Sequence, residues 1–228
     1  MNTRSLLVVA AHPDDEILGC GGTVSRLSND GVICNCVILS KGIASRYDKE
    51  DDIPEGKLEE LSAHTLKATK IVGYTSIRGL AFPDNRFDSV PLLEIVKAIE
   101  ALVDELKPDT ILTHHKGDLN RDHELTHRAA LIATRPIEGT SVKNLLTFEI
   151  PSSTEWSFSQ FNEFQPNYFC DIRDHVEKKI EAMAVYEGES RAFPHPRSGE
   201  NLRALAQLRG ASVGMRAAEA FEIIRICH

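Results

Sequence analysis

The run His12-Pro13-Asp14-Asp15-Glu16 packs an imidazole and three carboxyl groups into one short segment, directly after the apolar stretch Leu6–Ala11. Charges placed there must be paired or hydrogen-bonded, because a buried unpaired charge is costly. Asp14 to Glu16 taken alone are also acids suited to the N-terminus of a helix, where the dipole favours them. A divalent metal accounts for the whole cluster better. His12 and Asp15 stand three positions apart, so a turn entering a helix can aim both at one ion. Zinc sites that perform hydrolysis use three protein ligands of nitrogen and oxygen type and leave a fourth position for water. A third ligand must therefore come from elsewhere, and the segment Gly117-Asp118-Leu119-Asn120-Arg121-Asp122-His123-Glu124-Leu125-Thr126-His127 offers His123. His127 follows one turn later, at the spacing that lets two histidines share a helix face.

Distant segments converge only if the fold brings them together. Strand and helix signals alternate along the chain, which predicts an α/β fold, a Rossmann-like three-layer sandwich on a mostly parallel sheet. Expected strands are Ser5–Ala11, Val32–Leu39, Ser76–Ala81, Asp109–Thr113, Leu145–Ile150 and Tyr168–Ile172. Expected helices are Asp15–Ser28, Glu55–Ile71, Pro91–Leu106 with Ser89 as its N-cap and Pro108 beyond its end, Asp122–Thr134, Val176–Tyr186 and Ser198–Ala211. Pro151–Gln165 reads as a long surface loop, and residues 1–228 read as a single domain. Both polar clusters fall just after a strand, and ligand crevices in open α/β sheets lie outside the carboxyl ends of the strands. Gly19, Gly21 and Gly22 do not complete a dinucleotide fingerprint, since His-Pro-Asp-Asp stands where Gly-x-Gly is needed. They are expected to let helix and sheet approach closely.

The run Ala10-Ala-His-Pro-Asp-Asp-Glu-Ile-Leu-Gly-Cys-Gly-Gly-Thr23 resembles the opening motif of the LmbE/PIG-L zinc deacetylases, and Gly117-Asp-Leu-Asn-Arg-Asp-His123 resembles their second motif. Phe82-Pro-Asp-Asn-Arg86, Ser152-Ser-Thr-Glu-Trp156 and Phe193-Pro-His-Pro-Arg-Ser198 are similar to the bacterial branch. The resemblance implies His12, Asp15 and His123 as ligands of Zn2+, Asp14 as the base, and His127 as a packing or supporting residue. It implies hydrolysis of the N-acetyl amide of an amino sugar such as N-acetylglucosamine, free or linked to a nucleotide or a lipid. Zinc would lower the pKa of a bound water and polarise the carbonyl, and Asp14 would take the water's proton.

The second motif departs from a common family pattern, His-x-Asp-His, because Asn120 holds the place of its first histidine. An amide can donate a hydrogen bond to an oxyanion but cannot act as a general acid. Asp14 acting twice, or His195 between two prolines, is the expected source of the proton for the leaving amine. Arg86 and Arg197 are candidates to grip substrate bidentately, and Trp156 to stack on a sugar face. Two other readings stay open: an amidase on another N-acyl conjugate, such as a thiol–sugar conjugate, and a metal-dependent sugar-binding module without turnover. Asp14 argues against the module, since binding alone needs no base beside the ligands. His and carboxylate ligands would also suit iron or cobalt.

The chain of 228 residues carries a formal net charge of −8, which argues against a nucleic-acid partner. No stretch reaches the ~20 apolar residues of a membrane span. The apolar segment near the N-terminus is too short for a secretion signal. The five cysteines are scattered, with Cys34 and Cys36 expected on one buried strand face. The chain therefore reads as cytosolic, and a homo-oligomer is compatible with it.

Overall fold

A computed structural model describes residues 3–47, 49, 52–158, 160 and 162–227. The strands are β1 (Ser5–Ala10), β2 (Ile33–Ser40), β3 (Ser76–Phe82), β4 (Thr110–His114), β5 (Asn144–Phe148), β6 (Tyr168–Asp171) and β7 (Ala218–Ile226). The helices are α1 (Asp15–Leu18), α2 (Gly21–Asn29), α3 (Lys57–Val72), α4 (Leu92–Leu106), α5 (Arg121–Ala133), α6 (Val176–Val185) and α7 (Gly199–Ala211). Among the described residues no helix is long and apolar enough to cross a membrane.

The sheet runs in the order β3-β2-β1-β4-β5-β7-β6. The first five of these strands pair in parallel, and β7 pairs antiparallel with both β5 and β6. Alternate residues of β1 serve two cores. Leu6, Val8 and Ala10 pack with Ile17, Val24, Ala68 and Met183 on one face. Leu7, Val9 and Ala11 pack with Ile95, Ile99, Leu125 and Ala129 from α4 and α5 on the other. This is the expected three-layer arrangement, and a strand buried on both faces reads as an unbroken apolar run for this reason. Cys34 and Cys36 lie buried in the first of these cores, as small apolar side chains.

Strand order reverses beside β1: the chain leaves it for β2 and β3 on one side and returns to β4 on the other. Such a switch point opens a crevice at the carboxyl ends of the strands. His12 follows β1, and the segment leading to His123 follows β4. The sheet thus delivers both clusters to one edge.

Four expectations change. The helix expected over Asp15–Ser28 is broken, with α1 ending at Leu18 and α2 starting at Gly21. The break is held from two sides. Lys179 Nζ donates to the Leu18 carbonyl at 2.7 Å, while Glu219 accepts from the backbone N–H of Gly22 at 3.0 Å and Thr23 at 2.6 Å. The N-cap position of α4 is Pro91, without a side-chain cap; Ser89 instead closes a short 3-10 turn, Phe87–Ser89, by donating to the Arg86 carbonyl. β7 was not expected, because Glu219 and Glu222 interrupt its apolar alternation. The stretch 151–165 is no simple surface loop: Pro151, Ser153, Thr154 and Ser157 are buried, and its residues 159 and 161 lie outside the described set.

Gly19 has an ordinary helical φ, so sterics alone require it. A Cβ built there would enter the Phe148 ring, with Cε2 and Cγ at 2.7 Å. Gly19→Ala is therefore expected to destabilise the protein by ~1–3 kcal/mol, the usual cost of overpacking a closed core. Urea unfolding checks this, and a parent-like midpoint with an unchanged slope would contradict it.

Candidate functional site

His12, Asp15 and His123 form the group of metal-ligating side chains that converges among the described residues. His12 Nδ1 lies 3.4 Å from Asp15 Oδ2 and 3.3 Å from His123 Nε2, and His123 Nε2 lies 3.3 Å from Asp15 Oδ2. Ligands held ~2.0–2.1 Å from a common centre at tetrahedral angles stand ~3.3–3.4 Å from one another. The three atoms therefore already make one face of a tetrahedral zinc site. The donor set, two imidazoles and one carboxylate, suits zinc hydrolysis chemistry.

The ring nitrogens turned away from this triangle meet carboxylates. His12 Nε2 is 3.0 Å from Asp122 Oδ2, and Asp122 Oδ1 accepts from the Phe87 N–H at 3.0 Å. His123 Nδ1 is 3.1 Å from Asp118 Oδ1. A carboxylate behind a ligating imidazole fixes its tautomer and orientation. His114 stacks on the His123 ring at 4.0 Å, while its Nε2 accepts the Ala11 N–H at 2.9 Å. Burial, and the neighbouring His123, push its pKa well down, so His114 stays neutral. His127 donates through Nδ1–H to the His114 carbonyl, 2.9 Å away, and is outside the triangle.

Asp14 points elsewhere because of its backbone. Its φ of 102° lies in the left-handed region, which is costly for a residue with a Cβ and is kept only where the surroundings enforce it. Glu16 Oε2 enforces it by accepting the Asp14 N–H at 3.0 Å, and Tyr186 holds Glu16 by a 2.5 Å hydrogen bond from its hydroxyl. Burial pushes Glu16 up to about 7 against that hydrogen bond. Asp14 Oδ2 meets Arg197 Nη1 at 2.6 Å; Arg197 also reaches Glu189 at 3.0 Å and donates through Nε to Ser152 Oγ at 2.7 Å. Burial raises the Asp14 carboxyl well above the usual range, and Arg197 pulls against it.

These groups open onto a cavity of about 530 Å³. Asn120, Arg197 and Trp156 line it, together with Arg46, Asp84, Asn85, Arg121, Ser152 and Glu189, which the sequence did not single out. Asn120 is the N-cap of α5: its Oδ1 accepts the Asp122 N–H at 2.8 Å and its Nδ2 donates to Asn85 Oδ1 at 2.9 Å. Its second amide hydrogen has no partner among the described residues. Arg86 is corrected: it is exposed and does not line the cavity, since it starts the turn at Phe87 while its neighbours Asp84 and Asn85 face inward. His195 does not line the cavity either. Its ring packs edge-on against Trp156 at 5.7 Å, and its Nδ1 accepts the Arg197 N–H at 3.1 Å. It braces the wall rather than facing the reacting atoms.

The roles of Asp118 and Asp122 were missed, although both stand inside the second motif. Their spacing of four, flanking Asn120, was the available signal. Nothing in the sequence linked Tyr186 or Glu189 to Glu16 or Arg197.

Without a metal, the two imidazoles hold protons. Burial opposes the charge on His12, but hydrogen bonds to Asp122 and Asp15 outweigh it and raise the group to about 9. Burial opposes His123 too, but Asp15 and Asp118 raise it to about 10. The metal-free protein is thus stabilised fully below the unfolded histidine value of ~6.5 and loses that contribution as pH rises through about 9 and 10. Zinc must displace these protons, so zinc affinity is expected to rise with pH from 6 to 9, with proton release at pH 7. Calorimetry in buffers of different ionisation enthalpy measures the release; binding with no protons released would contradict this electrostatic picture.

Residues 7–134 match the family described as PIG-L: GlcNAc-PI de-N-acetylase. The diacetylchitobiose deacetylase of Thermococcus kodakarensis is 24% identical over 227 residues, covering 98% of this chain and 84% of its own. The 1D-myo-inositol 2-acetamido-2-deoxy-alpha-D-glucopyranoside deacetylase of Mycobacteroides abscessus is 27% identical over 190 residues, covering 73% of this chain and 68% of its own. Among solved structures, GalB, the 4-carboxy-2-hydroxymuconate hydratase of Pseudomonas putida KT2440, superposes with a TM-score of 0.77 at 20% identity, covering 99% of this chain and 98% of its own. That last likeness speaks for the fold alone, and one fold hosts different chemistries. The family match spans more than half of the sequence and includes every corner of the His12–Asp15–His123 triangle, and on that ground this chain belongs to the PIG-L, or LmbE-like, family.

Proposed function

We propose that the protein is a zinc-dependent deacetylase: it hydrolyses the N-acetyl amide of an amino sugar and releases acetate and the free amine. The observation that carries this reading is the triangle of His12, Asp15 and His123, with Asp14 buried beside it at the floor of a cavity. The relatives named as deacetylases of N-acetylated sugars support it. His12, Asp15 and His123 would hold the ion, which when bound supplies Lewis acidity toward the amide carbonyl and a lowered pKa for water.

The chain's own residues divide the remaining work. Asp14 takes a proton from the attacking water as the C–O bond forms. Burial favours the protonated form of its carboxyl, which helps it to accept that proton. Arg197 holds Asp14 in place by their 2.6 Å contact. Asn120 has one amide hydrogen left to donate to the developing oxyanion. As the C–N bond breaks, Asp14 passes its proton to the leaving amine, since His195 sits behind Trp156. Trp156 offers an apolar face to the sugar ring. The substrate is a small molecule, and the protein works without nucleic acid.

Acetate release from a panel of N-acetylated mono- and disaccharides tests the reading. Zinc-loaded parent protein is expected to release acetate from at least one of them. Asp14→Asn is expected to retain zinc and lose ~10²–10⁴-fold in kcat, the range for a lost general base. Near-parental kcat in a zinc-replete Asp14→Asn protein would sink the assignment of Asp14.

A further inference from the structure

The stretch Pro151–Gln165 is expected to be surface, yet its first half touches the site at three places. Trp156 lines the cavity, Ser152 Oγ accepts from Arg197, and Ser153 and Thr154 reach behind the metal-ligating triangle. The last contact is the least explained. Asp118 is 5% exposed, Ser153 6% and Thr154 7%, so these groups face one another away from water. Ser153 Oγ donates to Asp118 Oδ1, and Thr154 Oγ1 donates to Asp118 Oδ2 at 2.7 Å. The Asn120 N–H adds a third donor to Oδ1 at 2.9 Å. Thr154 is itself fixed, because its Oγ1 accepts the Ile150 N–H at 2.8 Å.

We propose that Ser153 and Thr154 are positioning residues of the metal centre: by fixing the Asp118 carboxylate, they fix the His123 ring and thereby set the affinity for zinc. The inference rests on the proposed zinc site. Asp118 Oδ1 lies 3.1 Å from His123 Nδ1. In the metal-free protein this is an ion-pair contact, not an aligned hydrogen bond, since Nδ1 has no hydrogen-bond partner among the described residues. With zinc bound it would favour the proton on Nδ1 and leave Nε2 to face the metal. A carboxylate free to rotate would hold neither the tautomer nor the ring plane. Two hydroxyl donors on opposite oxygens, plus one backbone N–H, remove that freedom before any metal arrives, and the ordering cost is met on folding instead of on binding. The same segment presents Ser152 to Arg197 and so braces the Asp14 side too. One short stretch thus ties the ligand side to the base side.

The test is the zinc dissociation constant, read by competition with a chromophoric chelator, alongside the thermal midpoint of the metal-free protein. The Ser153→Ala/Thr154→Val double variant is expected to bind zinc ~10–100-fold more weakly, the usual effect of losing a group that orients a ligand. Its metal-free midpoint should fall as well, since the Asp118 carboxylate and the Ile150 N–H lose partners, so affinity is read on protein shown to be folded. The single variant Thr154→Ser, which keeps the hydroxyl, should retain near-parental affinity. If the double variant does not fold, the single substitutions Ser153→Ala and Thr154→Val carry the same comparison. Parental zinc affinity in folded variants overturns the proposal and leaves the zinc site standing. A parent protein that binds no zinc overturns both.

Discussion

Negative charge in a place without water is the constraint on which this structure turns. Asp14, Asp15, Glu16, Asp118 and Asp122 are each at most 5% exposed, and all belong to two short segments at one end of the sheet. An ionised carboxylate in such surroundings needs a partner with good geometry, or it costs more than most single interactions return. Each has one. Asp14 has Arg197, Glu16 has the Tyr186 hydroxyl, Asp118 has Ser153, Thr154 and His123, and Asp122 has His12 and the Phe87 N–H. Asp15 is the exception in kind. Its partners are imidazoles, which neutralise it only while they hold protons or a cation.

That exception gives the site its character. Against its burial, charge on His123 and hydrogen bonds from His12 and His123 hold the Asp15 carboxyl well below the usual range, while His123 and His12 are raised in turn. Protons and a divalent cation therefore compete for the same three atoms. The fold can place such a cluster because β1 and β4 are neighbours at the point where strand order reverses. The left-handed backbone at Asp14 lets Asp14 and Asp15 diverge although they are adjacent, and the buried Lys179–Glu219 pair, 2.6 Å apart, holds the break between α1 and α2.

Much of this was legible in the sequence because it is local. His12-Pro13-Asp14-Asp15-Glu16 and Asn120-Arg121-Asp122-His123 each sit at a strand-to-helix turn, where short spacing decides direction. The apolar runs of β1, β2 and β4 read as buried strands without help. What stayed hidden depends on contacts across long separations. Tyr186 meets Glu16 and Arg197 meets Asp14 over intervals that no periodicity records. β7 carries Glu219 and Glu222 inward to cap α2 and to pair with His115 at 2.7 Å, so its pattern does not look like a strand. Arg86 and His195 misled because their motifs border the cavity: each stands next to residues that face it, and neither faces it itself. The hydroxyls of Ser153 and Thr154 looked like loop polarity, since only the folded chain sets them against Asp118.

The most direct test of this account is a crystal structure of the zinc-loaded protein with anomalous diffraction collected at the zinc edge. One ion is expected, with His12 Nδ1, Asp15 Oδ2 and His123 Nε2 each ~2.0–2.2 Å away, and with the Asp118 and Asp122 carboxylates still behind the two rings. An ion bound through His114, His115 or His127, or no anomalous peak within the triangle at saturating zinc, would contradict it.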